Sequence, residues 1–585
     1  MAYMITDGKP SVTTINSFLG LNMNETGETQ LKLGEASYMR NFRITKDFKL
    51  DKMYGYESIY NPEDKIRAMW IGKLGSASVE VYVAGGKVYN KDTELGSITD
   101  DVTSIFEFNK KLYFINGHDY KSWDGTTYGD VAGYIPKIKV ATTPAGVGTD
   151  LEPINLISAY RRVSFSGDGT SSVYHLPETG ITSATATVNG TAATITVQSA
   201  DGTVTFSSIP AEGTDNVEVT YLKANVPATD AQNITKNKYF QTYGLADDTR
   251  VFLYGNDDAK NRIYFSDLGD GVPNVEYFPG TNFIDVGSSN MAVTDISRQY
   301  DRLIISKESE AYYATYDPVT DTNGDTIITF PVYPLNKSHG MLAKGQGQLL
   351  DNYVTTVDAG GIIQWINTQS KDERNTNVIS ERVNEWLQER DLTKAVTLDY
   401  QEDKEYWLAI DDEVMVYNYA NSTFFMLKFT DNVRSLFTYA GDIYLGTDDS
   451  VMKFSKNQTT YNGEIIDAEW QGGFYDFEYE YRRKTMRILW ITVKPQEKTY
   501  MSVNYISDRN TGMTSREIQN QTFSYEFWNY GDFTYNANAH LKPFKIKLKA
   551  KKFAFLKLII KNNKLDYRLI VDTISIQKAY GGFVK

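Results

Sequence analysis

The stretch Val102–Gly125, VTSIFEFNKKLYFINGHDYKSWDG, decides the fold class. Two apolar runs flank a polar turn at Asn109–Lys111, and Asn116-Gly117 is a hairpin turn signal after the second run. Trp123-Asp124-Gly125 then ends a further short strand with another turn. These features predict most of a four-stranded antiparallel unit. Looser versions of the unit recur along the chain, which favours a ring or a stack of small sheets.

Similar strand–turn–strand units follow one another between Ile66 and Phe454. We count six or seven, spaced about 40–50 residues apart once an insert is removed, and this spacing is typical of β-propeller blades. Two consecutive β-sandwiches are the alternative interpretation of the same pattern. The sequence also predicts one helical turn at Glu35–Met39 and a short amphipathic helix at Asn377–Gln388.

Changes in composition divide the chain into four regions. Residues 1–60 place short apolar anchors between polar segments, which predicts an extended N-terminal arm. Residues 61–160 and 225–455 form the predicted β-propeller body. Residues 161–224 are rich in Thr, Ser, Ala and Gly and contain many short strands, which predicts an inserted Ig-like β module, a small β-sandwich. Residues 456–585 predict a C-terminal antiparallel β-sandwich, so the predicted fold class is all-β.

The bulk composition excludes several classes of protein. Of the 585 residues, 41% are hydrophobic and 23% are charged, which is typical of a globular chain. No apolar run approaches the ~18–20 residues of a membrane helix, and the start of the sequence lacks a secretory pattern, so no membrane segment is expected. Cysteine is absent. This excludes disulfides, thiolate metal sites and a cysteine nucleophile, and it favours folding in a cytoplasm.

Charge is unevenly distributed along the chain. The net charge is −14, yet Leu541–Lys585 contains 11 Lys, 1 Arg and 2 Asp, a balance of +10, so the other 540 residues sum to −24. A solvated strand face is one interpretation of this basic end. A docking surface for an acidic partner is the other, because charge asymmetry of this kind steers association.

Candidate residues for chemistry are few, and the sequence predicts no catalytic, cofactor-binding or metal site. It contains no phosphate-binding G-x-x-x-x-G-K-[ST] loop, no H-E-x-x-H motif and no G-x-S-x-G nucleophile elbow. The histidines are scattered over different units and are interpreted as turn or surface residues. They are His118, His175, His339 and His540.

Four acidic or aromatic segments have both a functional and a structural interpretation. Asp321–Asp325 resembles part of a calcium loop but lacks the flanking acids, and a hairpin tip explains it. Asp247-Asp248 and Asp257-Asp258 are either glycosidase carboxylates or solvated turns. The aromatic side chains of Trp470–Tyr481 either stack on sugar rings or pack within strands. Because no acid pair in an aromatic cleft is evident, we expect the chain not to be an enzyme.

The N-terminal arm carries a family resemblance in the order of its short motifs. They are Phe18-Leu19-Gly20-Leu21-Asn22, Leu33-Gly34-Glu35-Ala36, Met39–Phe42 and Tyr54-Gly55-Tyr56. This order resembles the N-terminal arm of tail-nozzle (tail-hub) proteins of short-tailed, podovirus-like bacteriophages. Asn261–Ser266, Tyr277-Phe278-Pro279 and Asp301–Tyr313 look like propeller strands of the same family. The insert is similar to small β modules of phage tail and fibre proteins.

The resemblance implies a structural virion protein of the phage tail. Such a protein forms a ring, typically of six copies, below the portal and adaptor, and the channel of the ring conducts double-stranded DNA during genome ejection. The implied partners are other copies of the chain, portal, adaptor and other tail proteins, and transiting DNA without sequence-specific contact. The implied location is the virion tail, after assembly in the host cytoplasm.

An acidic body is compatible with a DNA conduit, because many Lys and Arg contacts to phosphates would hold the DNA. Two other functions remain open from the sequence. One is a receptor- or glycan-binding tail component that uses the insert or the aromatic C-terminal strands. The other is a glycan-cleaving propeller enzyme, for which the argument is an analogy of fold alone.

Overall fold

The computed structural model describes residues 10–24, 28–245, 247–320, 326–366, 375–496, 498–509, 517–521, 541–546 and 550–584. The chain is all-β with a β-propeller-like body, which confirms the predicted fold class. In the described residues, seven antiparallel sheets follow the four-strand pattern of a propeller blade, and we number them blades 1–7. The chain divides into two compact units. One contains both chain ends and blades 5–7, and the other runs from Gly72 to Met341.

Blades 1–4 supply most strands of the Gly72–Met341 unit, and the first strand of blade 1 begins shortly before it. Blade 1 consists of Ile66–Leu74, Ala77–Ala84, Lys87–Asn90 and Thr93–Ser97. Blade 2 consists of Ser104–Phe108, Lys111–Ile115, Tyr120–Trp123 and Tyr128–Asp130. Blade 3 consists of Tyr239–Tyr243, Arg250–Tyr254, Arg262–Phe265 and Phe283–Asp285. Blade 4 consists of Val293–Gln299, Arg302–Lys307, Ala311–Thr315 and Val332–Asn336.

Additional elements lie in the connections of this unit. A helix, Ala228–Thr235, precedes blade 3. Two hairpins extend from blades 3 and 4, formed by Asp267–Gly269 with Val272–Asn274 and by Asp317–Thr320 with Thr326–Thr329.

Blade 2 shows why the opening stretch folds as predicted. Asn109 and Lys110 have φ of 49° and 64°, the left-handed pair that a two-residue hairpin turn requires. Successive side chains of a strand point to opposite faces of the sheet. Phe106, Tyr113 and Tyr120 therefore share one buried face, which packs against residues of blade 3.

The insert is a small sandwich of two sheets. The larger sheet consists of Thr149–Asp150, Lys137–Thr142, Tyr160–Gly167, Gly213–Lys223, Ile181–Val188 and Thr191–Ala193. The smaller sheet consists of Val173–His175, Thr203–Phe206 and Ile195–Gln198. Its core includes Val163, Phe165 and Tyr174. The strand Lys137–Thr142 pairs in parallel with Tyr160–Gly167, so the sandwich includes residues that precede the predicted start at 161.

Blades 5–7 belong to the unit that contains both chain ends. Blade 5 consists of Gln348–Leu350, Tyr353–Asp358, Gly361–Trp365 and Thr376–Val378. Blade 6 consists of Val396–Tyr400, Glu405–Ile410, Glu413–Asn418 and Thr423–Lys428. Blade 7 consists of Ser435–Tyr439, Asp442–Gly446, Val451–Phe454 and, from the N-terminal region, Tyr56–Tyr60. Two short strands, Thr460–Tyr461 and Glu464–Ile465, extend the sheet of blade 7. The last blade is thus closed by a strand from the other end of the sequence.

The terminal sandwich is built from both ends of the chain. Its first sheet consists of Phe42–Ile44, Leu50–Lys52, Ile570–Phe583, Arg482–Val493 and Lys542–Ile546, with Ser11–Ile15 also paired to Ile570–Phe583. Its second sheet consists of Gly20–Leu21, Glu35–Arg40, Ala468–Gly472, Leu556–Asn562, Lys498–Ser507 and Glu517–Gln521. The strands of the predicted arm therefore lie within the same sheets as those of the C-terminal region.

Two local predictions of helix are wrong in whole or in part. Glu35–Met39 lies in a strand, because Ala36–Arg40 pairs with Glu469–Gly472. In the region predicted as an amphipathic helix, Thr376–Val378 is a strand of blade 5. Helical structure follows only afterwards, as a 3-10 turn at Glu381–Val383 and an α-helix at Asn384–Gln388.

Candidate functional surfaces

The glycines of the N-terminal motifs lie where another backbone segment passes very close. A Cβ atom on Gly20, whose φ is +80°, would lie 2.6 Å from the carbonyl oxygen of Phe424 in blade 6. A Cβ atom on Gly55 would lie 1.9 Å from the carbonyl oxygen of Thr460. Only glycine fits either contact without a shift of the backbone. The motif glycines therefore set how closely the N-terminal segment approaches blades 6 and 7.

The polar residues of the same motifs form hydrogen bonds with one another and with other segments of the same chain. Asn22 Nδ2 donates to Glu35 Oε2 at 3.2 Å, which joins the first motif to the second. Asn41 Nδ2 donates to the carbonyl oxygen of Asp467 at 3.0 Å, and its Oδ1 accepts from the backbone N–H of Lys428 at 2.8 Å. The motifs that carry the family resemblance thus form the junction between the terminal sandwich and blade 6.

A buried ionic cluster strengthens this junction. Arg43 Nη2 lies 2.9 Å from Asp403 Oδ2 and 3.4 Å from Glu405 Oε1. Burial raises the pKa of Glu405, and the Arg43 guanidinium opposes that rise. For Arg43, burial favours a lower pKa, but Glu405 and Asp403 outweigh it and the pKa is raised. The guanidinium therefore stays charged and couples the sandwich strand Phe42–Ile44 to blade 6.

Burial lowers the pKa of three lysines in the described part of the terminal sandwich. Lys52 Nζ donates to Asn562 Oδ1 and to the carbonyl oxygen of Tyr567, each at 3.0 Å, and burial lowers its pKa to about 7. Lys484 Nζ donates to the carbonyl oxygens of Tyr479 and Ala554, and burial lowers its pKa to about 8. Burial also lowers the pKa of Lys578, whose Nζ donates to Thr13 Oγ1 at 2.5 Å.

The basic C-terminal end therefore has two parts. Lys557 and Lys578 belong to its buried part. The exposed part includes the strand Lys542–Ile546, which pairs with Arg482–Val493. In the described residues that strand has no partner on its other side, so it is an edge of the first sheet. We call this strand the basic edge.

The aromatic segment Trp470–Tyr481 mainly fills the core. Trp470 is buried and packs edge-on against Phe18, with ring centroids 5.5 Å apart. Tyr475 is also buried, and its hydroxyl donates to the carbonyl oxygen of Glu35 at 3.2 Å. The structural interpretation of these side chains is confirmed. Tyr481 differs: it is 53% exposed and stacks on Phe583, which is 70% exposed, with ring centroids 6.2 Å apart.

In each predicted acid pair at least one carboxylate is bound by a cation. Asp248 binds Arg250 through both carboxylate oxygens, at 2.8 and 3.2 Å, and also accepts a hydrogen bond from Tyr316. Asp257 lies 3.4 Å from Lys238 Nζ, and Asp258 forms an ion pair with Lys236. These carboxylates stabilise turns. The calcium-like segment Asp321–Asp325 lies outside the described residues.

The histidines lie in separate elements. His118 follows the second strand of blade 2, and its Nε2 is 3.5 Å from Asp101 Oδ2. His175 is exposed on the small sheet of the insert, and His339 follows blade 4. His540 lies outside the described residues. Within the described part of the chain, no group of three or more His, Asp or Glu side chains is arranged to hold a metal ion.

Trp123-Asp124-Gly125 closes blade 2, as interpreted from the sequence. Trp123 is buried and pairs with Leu112. Asp124 Oδ1 accepts hydrogen bonds from the backbone N–H groups of Thr127 and Thr126, which lower the pKa of Asp124 to about 2. The side chain is thus committed to stabilising its own turn.

The insert contains an open pocket that the sequence did not reveal. Its volume is about 370 Å³, and its walls include Ile138, Leu151, Pro153, Ile154 and Pro177. At its rim the Lys139 ammonium pairs with Asp150 at 2.7 Å. The pocket is mostly aliphatic, so its walls offer contact area rather than aromatic stacking.

Several residues of these surfaces were missed from the sequence for identifiable reasons. Arg43 and Glu405 are more than 350 residues apart in the chain, and no local pattern indicates that they meet. Phe583 and Tyr481 are likewise brought together only by the pairing of Arg482–Val493 with Ile570–Phe583. The lysine count at the C-terminal end was the one available signal, and it did locate the basic edge.

Comparisons with known proteins give no family. No family model matches the chain, and no curated protein matches it. Among solved structures, BamB from Moraxella catarrhalis is 10% identical, with a TM-score of 0.29, over 77% of this chain and 99% of that chain. The WD40 domain of SCAP from fission yeast is 6% identical, with a TM-score of 0.28, over 69% of this chain and 94% of that chain.

An exo-β-1,3-galactanase from Phanerochaete chrysosporium is 7% identical, with a TM-score of 0.17, over 82% of this chain and 96% of that chain. At such TM-scores we draw no functional conclusion from these similarities. In the part of the chain that the structure describes, no helix has the length and apolar character needed to cross a membrane.

Proposed function

We propose that this chain is a structural protein of the tail nozzle of a short-tailed bacteriophage, where copies of it form a ring that conducts DNA during ejection. One observation carries the proposal. The motif residues that resemble the nozzle arm occupy the junction of the terminal sandwich with blades 6 and 7, as seen for Gly20, Asn41 and Gly55. The resemblance therefore lies at positions on which the fold depends.

The architecture supports this role physically. A ring element must transmit load without opening, and here both chain ends are strands within shared sheets. Blade 7 is closed by Tyr56–Tyr60, and Ser11–Ile15 pairs with Ile574–Lys578. Opening either end would break a ladder of backbone hydrogen bonds.

The charge distribution supports a conduit that does not hold DNA. Residues 72–341 contain 20 Lys and Arg and 33 Asp and Glu, a balance of −13. Phosphate contacts are the main source of non-specific DNA affinity, and an acidic body offers few of them. The basic end, in this proposal, binds a neighbouring protein of the tail.

Light scattering and electron microscopy of the purified protein test the proposal. We expect rings of about six copies, alone or on a portal–adaptor complex, as closed cyclic symmetry allows. A monomer that neither assembles alone nor binds the portal–adaptor complex contradicts the nozzle role.

A glycan-binding tail component is the second candidate, and the exposed Tyr481–Phe583 pair favours it. The two rings are stacked with an interplanar angle of 18°, and the Arg482 guanidinium lies 5.6 Å from the centre of the Phe583 ring. Exposed stacked aromatic rings offer an apolar face to a sugar ring. Binding of host surface polysaccharide that is lost on Tyr481→Ala, with unchanged thermal unfolding, would support this role.

A further inference from the structure

Lys52 and Asn562 bring an amine and a side-chain amide together inside the terminal sandwich. Lys52 ends the strand Leu50–Lys52 of the first sheet, and Asn562 ends the strand Leu556–Asn562 of the second sheet. The exposed fractions of the two residues are 1% and 0%. Lys52 Nζ lies 3.0 Å from Asn562 Oδ1, although the residues are 510 positions apart in the chain. The contact therefore joins the two sheets and two distant parts of the sequence.

The Asn562 amide is held in a defined orientation next to this amine. Its Nδ2 donates to the carbonyl oxygen of Tyr500 at 2.9 Å, and its Oδ1 accepts from the backbone N–H of Lys564 at 3.4 Å. Since a C=O bond is about 1.2 Å long, Lys52 Nζ lies within roughly 4.2 Å of the Asn562 Cγ carbon. A shift of about 1 Å would bring the two atoms to the separation of reacting groups, about 3–3.5 Å.

The environment of Lys52 favours the form of the amine that can react. Burial lowers its pKa to about 7, and the Arg568 guanidinium adds to this effect, while Asp467 and Asp566 oppose it. Above pH 7 most of the amine is therefore unprotonated, and only the unprotonated form has a lone pair that can attack a carbonyl carbon. A lysine with the ordinary pKa of about 10.4 would be almost entirely protonated at the same pH.

We propose that the Lys52 amine attacks the side-chain amide of Asn562 and forms an intramolecular isopeptide bond. The Nζ lone pair forms a bond to Cγ, and the carbonyl electron pair moves to Oδ1, to which the N–H of Lys564 donates. The electron pair then returns as the bond between Cγ and Nδ2 breaks. One proton moves from Nζ to Nδ2, and Nδ2 leaves as ammonia. Atoms and charges balance without a co-reactant.

The two nitrogens that exchange this proton already lie on one acceptor. Lys52 Nζ donates to the carbonyl oxygen of Tyr567 at 3.0 Å, and Asn562 Nδ2 donates to the same oxygen at 3.5 Å. The nucleophile and the leaving group are therefore neighbours before the reaction begins. Release of ammonia into water and its dilution there oppose the reverse reaction.

The bond cross-links the terminal sandwich of a chain that contains no cysteine. A cross-link stabilises a fold by restricting the unfolded chain, and this effect grows with the length of the closed loop. The reacted chain should therefore melt at a temperature higher by about 5 °C or more. Reaction also consumes the amine, so titration of Lys52 belongs to unreacted chains. The inference is independent of the proposed ring.

Mass spectrometry of the full-length protein tests the bond. Freshly purified protein is divided and incubated at pH 6 and at pH 9, and the intact mass at pH 9 should fall by the mass of one ammonia. Trypsin does not cleave after an acylated lysine, so digestion should yield a branched peptide in which Leu50–Lys65 is joined to Asn562–Lys564. Because the unprotonated fraction falls about tenfold per pH unit below the pKa, the branched peptide should form about tenfold more slowly at pH 6.

Two variants separate this reaction from the general reactivity of buried lysines. Lys52→Met removes the nucleophile and should abolish the branched peptide. Lys484→Met is the matched control, because Lys484 is also buried and its pKa is also lowered, but its Nζ donates to the backbone carbonyl oxygens of Tyr479 and Ala554. This variant should form the branched peptide at the same rate as the original chain. Thermal unfolding shows whether each variant is folded before incubation.

The digest of the original chain decides the question even if a variant does not fold. Lys52 and Asn562 recovered only in separate linear peptides after incubation at pH 9 overturn the proposal. Loss of ammonia without the branched peptide also overturns it, and assigns the loss to succinimide formation at an Asn-Gly turn such as Asn189-Gly190. Neither result affects the proposed ring, which light scattering tests separately.

Discussion

Lys52 is a single residue through which pH acts on the terminal sandwich. Its ammonium is buried and donates to two neutral oxygens, Asn562 Oδ1 and the carbonyl oxygen of Tyr567, and burial lowers its pKa from 10.5 to about 7. In the unfolded chain the pKa returns to its ordinary value. The unfolded state therefore binds more protons between pH 7 and 10.5, and folding stability rises with pH across this window.

We predict that Lys52→Met removes this dependence. For the unmodified chain, the Lys52 contribution to the free energy of unfolding should rise by roughly 3 kcal/mol between pH 7 and pH 10. The difference in stability between the variant and the unmodified chain should change by the same amount over this range. Chemical denaturation at several pH values measures it, and a difference that is independent of pH contradicts the assignment.

Gly55 tests the steric argument for the motif glycines. We predict that Gly55→Ala destabilises the fold by about 3 kcal/mol, because the added methyl group would meet the carbonyl oxygen of Thr460 at 1.9 Å. Gly582→Ala is the matched control, since nothing lies within 4 Å of a Cβ atom there. Thermal unfolding of the two variants should differ clearly, and equal melting temperatures would show that the backbone yields at Gly55.

At the scale of elements, we predict that the insert is a separable module. Its first and last strands lie close together, because Arg162 N–H donates to the carbonyl oxygen of Pro136 and Arg162 pairs with Thr220. A short linker can therefore replace residues 137–223. We predict that this deletion leaves a folded protein with cooperative unfolding.

Deletion of residues 161–224 alone is the informative comparison. It removes Tyr160–Gly167 almost entirely, the parallel partner of Lys137–Thr142, and leaves that strand with an open edge. We expect this shorter deletion to increase aggregation, measured by size-exclusion chromatography, because unpaired edges associate. Equal behaviour of the two deletions would mean that Lys137–Thr142 does not need the insert.

An element was predictable from the sequence when neighbouring residues, such as a turn and its flanking apolar runs, identify it. The turn at Asn109-Lys110 and the apolar runs on either side of it, which contain Phe106 and Tyr113, identify blade 2 without any distant residue. The partner of Ser11–Ile15 could not be found this way, since it pairs with Ile574–Lys578 at the other end of the chain. Glu35–Met39 was predicted as a helical turn because five residues are too few to distinguish the periodicity of a helix from that of a strand.

For the candidate surfaces, the sequence predicted where charged residues are concentrated. It did not predict which of these residues are buried or which ones contact one another. Six lysines within Leu541–Lys552 are visible in the sequence. Whether a lysine is buried depends on which strands surround it, so Lys52 and Lys578 could not be distinguished from exposed lysines such as Lys545. The same holds for Arg43, whose carboxylate partners come from blade 6.

At the scale of the whole molecule, the proposed nozzle role depends on how the chain interacts with DNA. A conduit must let DNA pass, so we predict that the full-length chain shows no saturable binding to duplex DNA at ~0.15 M salt, measured by fluorescence anisotropy. Any binding at low salt should come from the basic end and should fall in the Lys542→Glu, Lys545→Glu variant. Tight binding that persists at physiological salt contradicts the conduit, because affinity of that kind would oppose the movement of DNA through a ring.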